Sequence, residues 1–116
     1  MKKRYKLESG FDTTITLEID TDKIPEDLAR RTNAFWMYAD HVLSLSDGDV
    51  FQAVARRAAG PLLGYLLDGF TEDGAVAQLL GEEGWPGGGG ITIIDHEFPG
   101  LSADDFEVVE IMSGAQ

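Results

Sequence analysis

The chain has 116 residues, which suits one domain spanning 1–116 and a core buried without disulfides or metal. Its hydrophobic content of 43% argues against a disordered chain, and the lack of cysteine excludes disulfide and thiolate chemistry. A net charge of −12 argues against direct nucleic-acid binding, which needs Lys and Arg gathered on one face. All nine Lys and Arg fall in residues 1–57 beside ten acidic residues; residues 58–116 hold the other eleven acidic residues and no Lys or Arg. That acidic half either keeps the protein in solution or faces a basic protein partner. The first residues, MKKRYKLES, are basic with no apolar run after them, so they do not read as a secretory signal. No stretch reaches the roughly 18 apolar residues of a membrane span. A cytoplasmic location is the simplest expectation.

In chain order, residues 5 to 19 alternate. Tyr5, Leu7, Phe11, Ile15, Leu17 and Ile19 are apolar, with charged or hydroxylated residues between them. Period two predicts strands with one face on a core. The break at Ser9-Gly10-Phe11-Asp12 predicts a hairpin of residues 3–8 and 13–20. Apolar positions are odd-numbered in both arms, so Leu7 should face Ile15 and Tyr5 should face Leu17, across a loop of three or five residues.

Pro25 with Glu26 and Asp27 predicts a helix start. Leu28, Phe35, Ala39 and Val42 then form its apolar stripe, with Trp36, Tyr38 and Leu43 on the rims. Glu26, Arg30, Asn33, Asp40, His41 and Ser44 fall on the polar side. Met37 falls there too and, beside Trp36, marks a candidate partner contact. Ser46-Asp47-Gly48-Asp49 closes this helix and caps the next.

The segment Asp49 to Phe70 is the longest apolar-rich run, and the rest of the fold is expected to surround it. Val50, Phe51, Val54, Ala55 and Ala58 line one stripe before Gly60-Pro61. Leu62, Leu63, Leu66, Leu67 and Phe70 spread round most of the circumference after it, which predicts burial on all sides. Helical spacing continues across Pro61, so one kinked helix is expected, with Gly60 and Gly64 admitting another backbone closely. Thr71-Glu72-Asp73 starts a third helix carrying Ala75, Val76, Leu79 and Leu80. Gly87 to Gly90 supply slack. Strands follow at Ile91 to about Phe98 and at Phe106 to Met112. The expected fold is α+β: an antiparallel four-stranded sheet with three helices on one face, in the order ββαααββ.

Phe35-Trp36, Gly48-Asp49-Val50 leading into Ala53-Val54-Ala55-Arg56, Leu66-Leu67-Asp68-Gly69, Glu83-Gly84-Trp85-Pro86 and Ile91-Thr92-Ile93-Ile94-Asp95 together resemble a known family. It comprises small acidic bacterial proteins, found also in phages and prophages, grouped as a domain of unknown function. The resemblance covers roughly residues 4 to 96. It implies a bacterial or phage-derived cytoplasmic protein with an accessory role, and brings no catalytic residue or ligand.

Constellations that carry chemistry are sparse. His41 and His96 lack the spacing of a metal site, and two solvent-facing histidines are preferred to a metal-dependent enzyme around His96. The glycine run has no Lys-Ser/Thr after it, so it is not a phosphate loop, and Gly-x-Ser-x-Gly is absent. No catalytic residue, cofactor or metal is expected. Two candidate surfaces remain. Trp36 and Met37, or an open edge of the sheet, would serve a partner contact, with a homodimer as the expected form. Glu72, Asp73, Glu82, Glu83, Asp104 and Asp105, with Glu107 and Glu110 nearby, would form an acidic face that imitates DNA phosphates toward a DNA-binding protein.

Overall fold

The computed structural model describes residues 1–10, 12–98 and 107–111. Strands β1 (Lys2–Ser9) and β2 (Thr13–Asp20) form the expected hairpin, with Leu7 opposite Ile15 and Tyr5 opposite Leu17. Ser9 pairs with Thr13, which fixes the loop at residues 10–12, and Asp12 there has φ +57. The odd-numbered side chains turn inward: Ile15, Leu17 and Ile19 are fully buried, while Tyr5 and Leu7 on the outer strand are partly covered.

Four helices follow. They are α1 (Glu26–Ala34), α2 (Ala39–Leu45), α3 (Val50–Leu67) and α4 (Glu72–Leu80), and β3 (Ile91–Glu97) then closes the sheet. The order is β1-β2-β3, antiparallel throughout, with β2 in the middle. This corrects the expected four strands and three helices. The fold is mixed α+β, but among the described residues it has three strands and four helices, in the order ββααααβ.

Two local events produce the difference. The first long helix breaks at Phe35-Trp36-Met37-Tyr38, where Tyr38 takes the left-handed conformation at φ +64. Four bulky residues in a row cannot all sit on one helix face. Breaking the helix lets Trp36 fold inward while its neighbours stay outside. At the other end, Glu107–Ile111 is not a strand, and Val108, Val109 and Ile111 are exposed. Phe106 and Met112, the ends of that expected strand, lie outside the described residues. β-propensity reflects fit to a neighbouring strand, and here none is supplied.

α3 packs against α1, α2, α4, β1 and β2. Asp49 caps it, accepting from the backbone N–H of Phe51 at 3.0 Å and of Gln52 at 3.3 Å. The same carboxylate accepts the Tyr5 hydroxyl at 2.7 Å, which ties the first strand to the central helix. Pro61 lies inside an unbroken helix, as expected. Val50, Ala53, Val54, Ala58 and Leu62 are buried, but all-round burial after Pro61 does not hold. Leu66 is only half-buried, and Leu67 and Phe70 are exposed. A Cβ on Gly60 or Gly64 would meet nothing within 4 Å, so among the described residues no other backbone approaches that ridge.

β3 contains a bulge. Ile91 and Ile93 lie opposite Ile19 and Leu17, but Asp95 then faces Thr16 and His96 faces Ile15, which leaves Ile94 as the extra residue. The bulge reverses the phase of the strand. Ile91 and Ile93 point to the helices before it, His96 points there after it, and Ile94 and Asp95 are outside.

Candidate functional site

The break between α1 and α2 makes a corner held from beneath. Asn33, placed on the polar side by helical spacing, is instead buried, and its Nδ2 donates to the Ala39 carbonyl at 3.1 Å. Arg57 on α3 donates from Nε to Asn33 Oδ1 at 2.8 Å and from an Nη to the Met37 carbonyl at 3.0 Å. One amide and one guanidinium thus tie the Met37 carbonyl in the break and the Ala39 carbonyl at the start of α2 to the helices beneath. Desolvation lowers the pKa of Arg57. Nothing in the residue pattern marks this pair, because helical periodicity assumes the helix continues.

Above that support, Trp36 packs against Trp85 with ring centres 6.1 Å apart. Phe35 meets Trp36 edge to face at 4.8 Å. The Phe35 ring also lies over Gly84, where φ is +92 and a Cβ would come within 2.4 Å of it. Only glycine fits this backbone under this ring. Trp36, Arg57, Pro61, Glu82 and Trp85 line a cleft of ≈ 230 Å³. The Trp36 Nε1 is buried with no hydrogen-bond acceptor among the described residues. On the outside, Phe35 is 50%, Met37 73% and Tyr38 72% exposed. The site combines fixed aromatic surface, one unengaged donor and one cation. That equipment suits holding an apolar chain with a carbonyl on it.

The acidic residues are dispersed in role. The Glu72 carboxylate lies 2.6 Å from His96 Nδ1, joining the first turn of α4 to the bulged end of β3. Glu82 accepts the Tyr65 hydroxyl. Asp73 and Glu83 are exposed, as are Glu107 and Glu110, while Asp104 and Asp105 lie outside the described residues. His41 is exposed on α2, and among the described residues no group of three His, Cys, Asp or Glu is placed to hold a metal ion. No helix among them is long and apolar enough to cross a membrane.

Comparison with known proteins gives a family and two relatives. A family described as "Protein of unknown function (DUF2528)" matches residues 14–108. "Protein ea10" of Escherichia phage lambda is 29% identical over 116 residues, covering 91% of this chain and 94% of the relative. "Lambda prophage-derived protein ea10" of Escherichia coli O6:H1 matches to the same extent. No solved structure matches.

Proposed function

We propose, from the premise that the chain belongs to this family of unknown function with relatives in phage and prophage, that it is a cytoplasmic accessory protein acting by protein contact. Its contact surface is the Phe35–Tyr38 corner, and its working form is a homodimer. The observation that carries this reading is the exposure of Phe35, Met37 and Tyr38 on a segment pinned by Arg57 and Asn33. Aromatic residues and Met are enriched at interface cores, and a pre-organised segment loses little freedom on binding. Two-fold symmetry is the usual form of self-association.

The charge of −12 opposes association, but screening at about 0.15 M salt shortens its reach to about 8 Å. Apolar burial is not screened, so a corner dimer persists or tightens as salt is added. Sedimentation equilibrium at moderate salt tests the reading. A dimer is expected for the unaltered chain, and Met37→Glu, which introduces a charge at an exposed position, should abolish the part of the association that persists or tightens with salt. A monomer mass for the unaltered chain refutes it.

A further inference from the structure

The sheet has a second feature that the corner does not use. β1 pairs on one side only, with β2, and no described strand lies on its other side. Between that edge and α3 run two adjoining hollows. One, of ≈ 260 Å³, lies between Tyr5–Glu8 and the side chains of Gln52 and Arg56. The next, of ≈ 250 Å³, continues past Leu7 and Arg56 to Ile15, Gly60 and Leu63. Gly60, beside which a Cβ would meet nothing within 4 Å, borders the second hollow and leaves it open. Together they make an unpaired strand edge beside a groove with an apolar end and a middle where Lys6 and Arg56 outnumber Glu8. That is the form of site to which an extended segment adds as a strand.

The chain carries a segment of matching chemistry. In Glu107-Val108-Val109-Glu110-Ile111 the apolar residues are 80%, 95% and 90% exposed, so it does not rest on its own sheet. In an extended run Glu107, Val109 and Ile111 share one face, and Val108 and Glu110 share the other. The first face suits Arg56 and the apolar groove. The second brings Glu110 to the row of Lys2, Arg4 and Lys6 on the open side of β1. Arg4 and Lys2 already contact Glu18, at 2.8 and 3.8 Å, whereas Lys6 has no ion-pair partner among the described residues.

Charge also selects between edges and partners. Lysines on an edge oppose pairing with another copy of the same edge, since like charges would face one another. The β3 edge carries Asp95 and Glu97 and repels an acidic segment. We infer that the free edge of β1 and its groove dock the Glu107–Ile111 segment of a second copy of the chain. This contact is separate from the Phe35–Tyr38 corner in both residues and physics, so either can fail alone.

Sedimentation velocity of the full chain over a rising salt series tests it. Association through β1 weakens as salt screens the Lys and Glu charges, opposite to the corner contact. Lys6→Glu lowers the association constant by about tenfold or more. Val108→Pro and Val109→Pro, made together, do the same, because one of the two lost N–H groups faces the ladder in any register. All three positions are exposed, so circular dichroism should show the fold intact. Association unchanged in these variants but lost in Met37→Glu overturns the inference and leaves the corner standing. The reverse pattern keeps the strand contact and removes the corner. Amide exchange on β1 gives a second reading. Protection that rises with protein concentration supports docking in trans; protection independent of concentration assigns the edge to the chain's own segment and overturns it.

Discussion

Gly90→Ala should be severely destabilising while Gly88→Ala, two positions earlier, should not. Both belong to the Gly87–Gly90 run, which reads as uniform slack. A Cβ on Gly87 or Gly88 meets nothing within 4 Å. Gly90 has φ +107, and its Cβ would stand 2.7 Å from Ile24 Cγ1 and 2.9 Å from Cδ1. Ile24 is fully buried, so it has no free space to yield into. The Gly90 carbonyl also accepts the Asp20 N–H at 2.8 Å, which fixes this backbone where β3 begins. Backbone strain of about 1–3 kcal/mol and overpacking of about 1–3 kcal/mol add to about 2–6 kcal/mol. That is a large share of the roughly 5–15 kcal/mol that holds a domain together. Gly88→Ala should lie near zero or stabilise by about 0.4–1 kcal/mol through the unfolded chain. Urea denaturation followed by tryptophan fluorescence and far-ultraviolet circular dichroism measures both, with unchanged slope confirming a change in stability alone. A loss under about 1 kcal/mol for Gly90→Ala, or an equal loss for Gly88→Ala, refutes the reasoning.

The same measurement separates three leucines of α3. Leu62→Ala should cost about 2–5 kcal/mol because Leu62 is fully buried, half-buried Leu66→Ala less, and exposed Leu67→Ala under about 0.5 kcal/mol; equal losses would contradict this packing. Tyr5 supplies a pH test. Burial first, then its hydrogen bond to Asp49 and that carboxylate's charge, push its phenol above the usual tyrosine range. A raised folded-state pKa means the stabilisation is complete below the unfolded value of about 10 and is lost as pH rises beyond it. Urea midpoints should therefore fall above about pH 10 in the unaltered chain and fall less in Tyr5→Phe; parallel curves would remove Tyr5 as the cause.

The hairpin was legible because period two, odd-numbered phase and a short loop each constrain register, and Leu7 opposite Ile15 satisfies all three. The starts of α3 and α4 were legible as caps, since Asp49 and Thr71 act locally. What failed depends on neighbours distant in sequence. Helical spacing carried Phe35 to Val42 as one stripe because nothing local announces the left-handed Tyr38. Asn33 and Arg57 are 24 positions apart, and no pattern in either helix joins them. The apolar second half of α3 looked buried, yet no element covers Leu67. Ile91-Thr92-Ile93-Ile94 hides its bulge because an extra apolar residue looks the same as a longer strand. Of the candidate site, Met37 was visible as a misplaced hydrophobe beside Trp36, but the cleft that Trp36 lines needed Trp85 and Glu82 from beyond α4.

The central position of β2 has a consequence for synthesis. Its neighbour on one side, β1, precedes it directly, while β3 begins only at Ile91. As the chain emerges from the ribosome, the hairpin can form at once, and it does so with the second edge of β2 bare. Ile15, Leu17 and Ile19 then wait for α3 to cover their faces and for β3 to cover that edge. Unpaired edges and exposed apolar surface are what partly made chains aggregate through. The charges of Glu18 and Asp20 along the waiting strand oppose such pairing. The strand most enclosed in the finished sheet is thus the last to be closed.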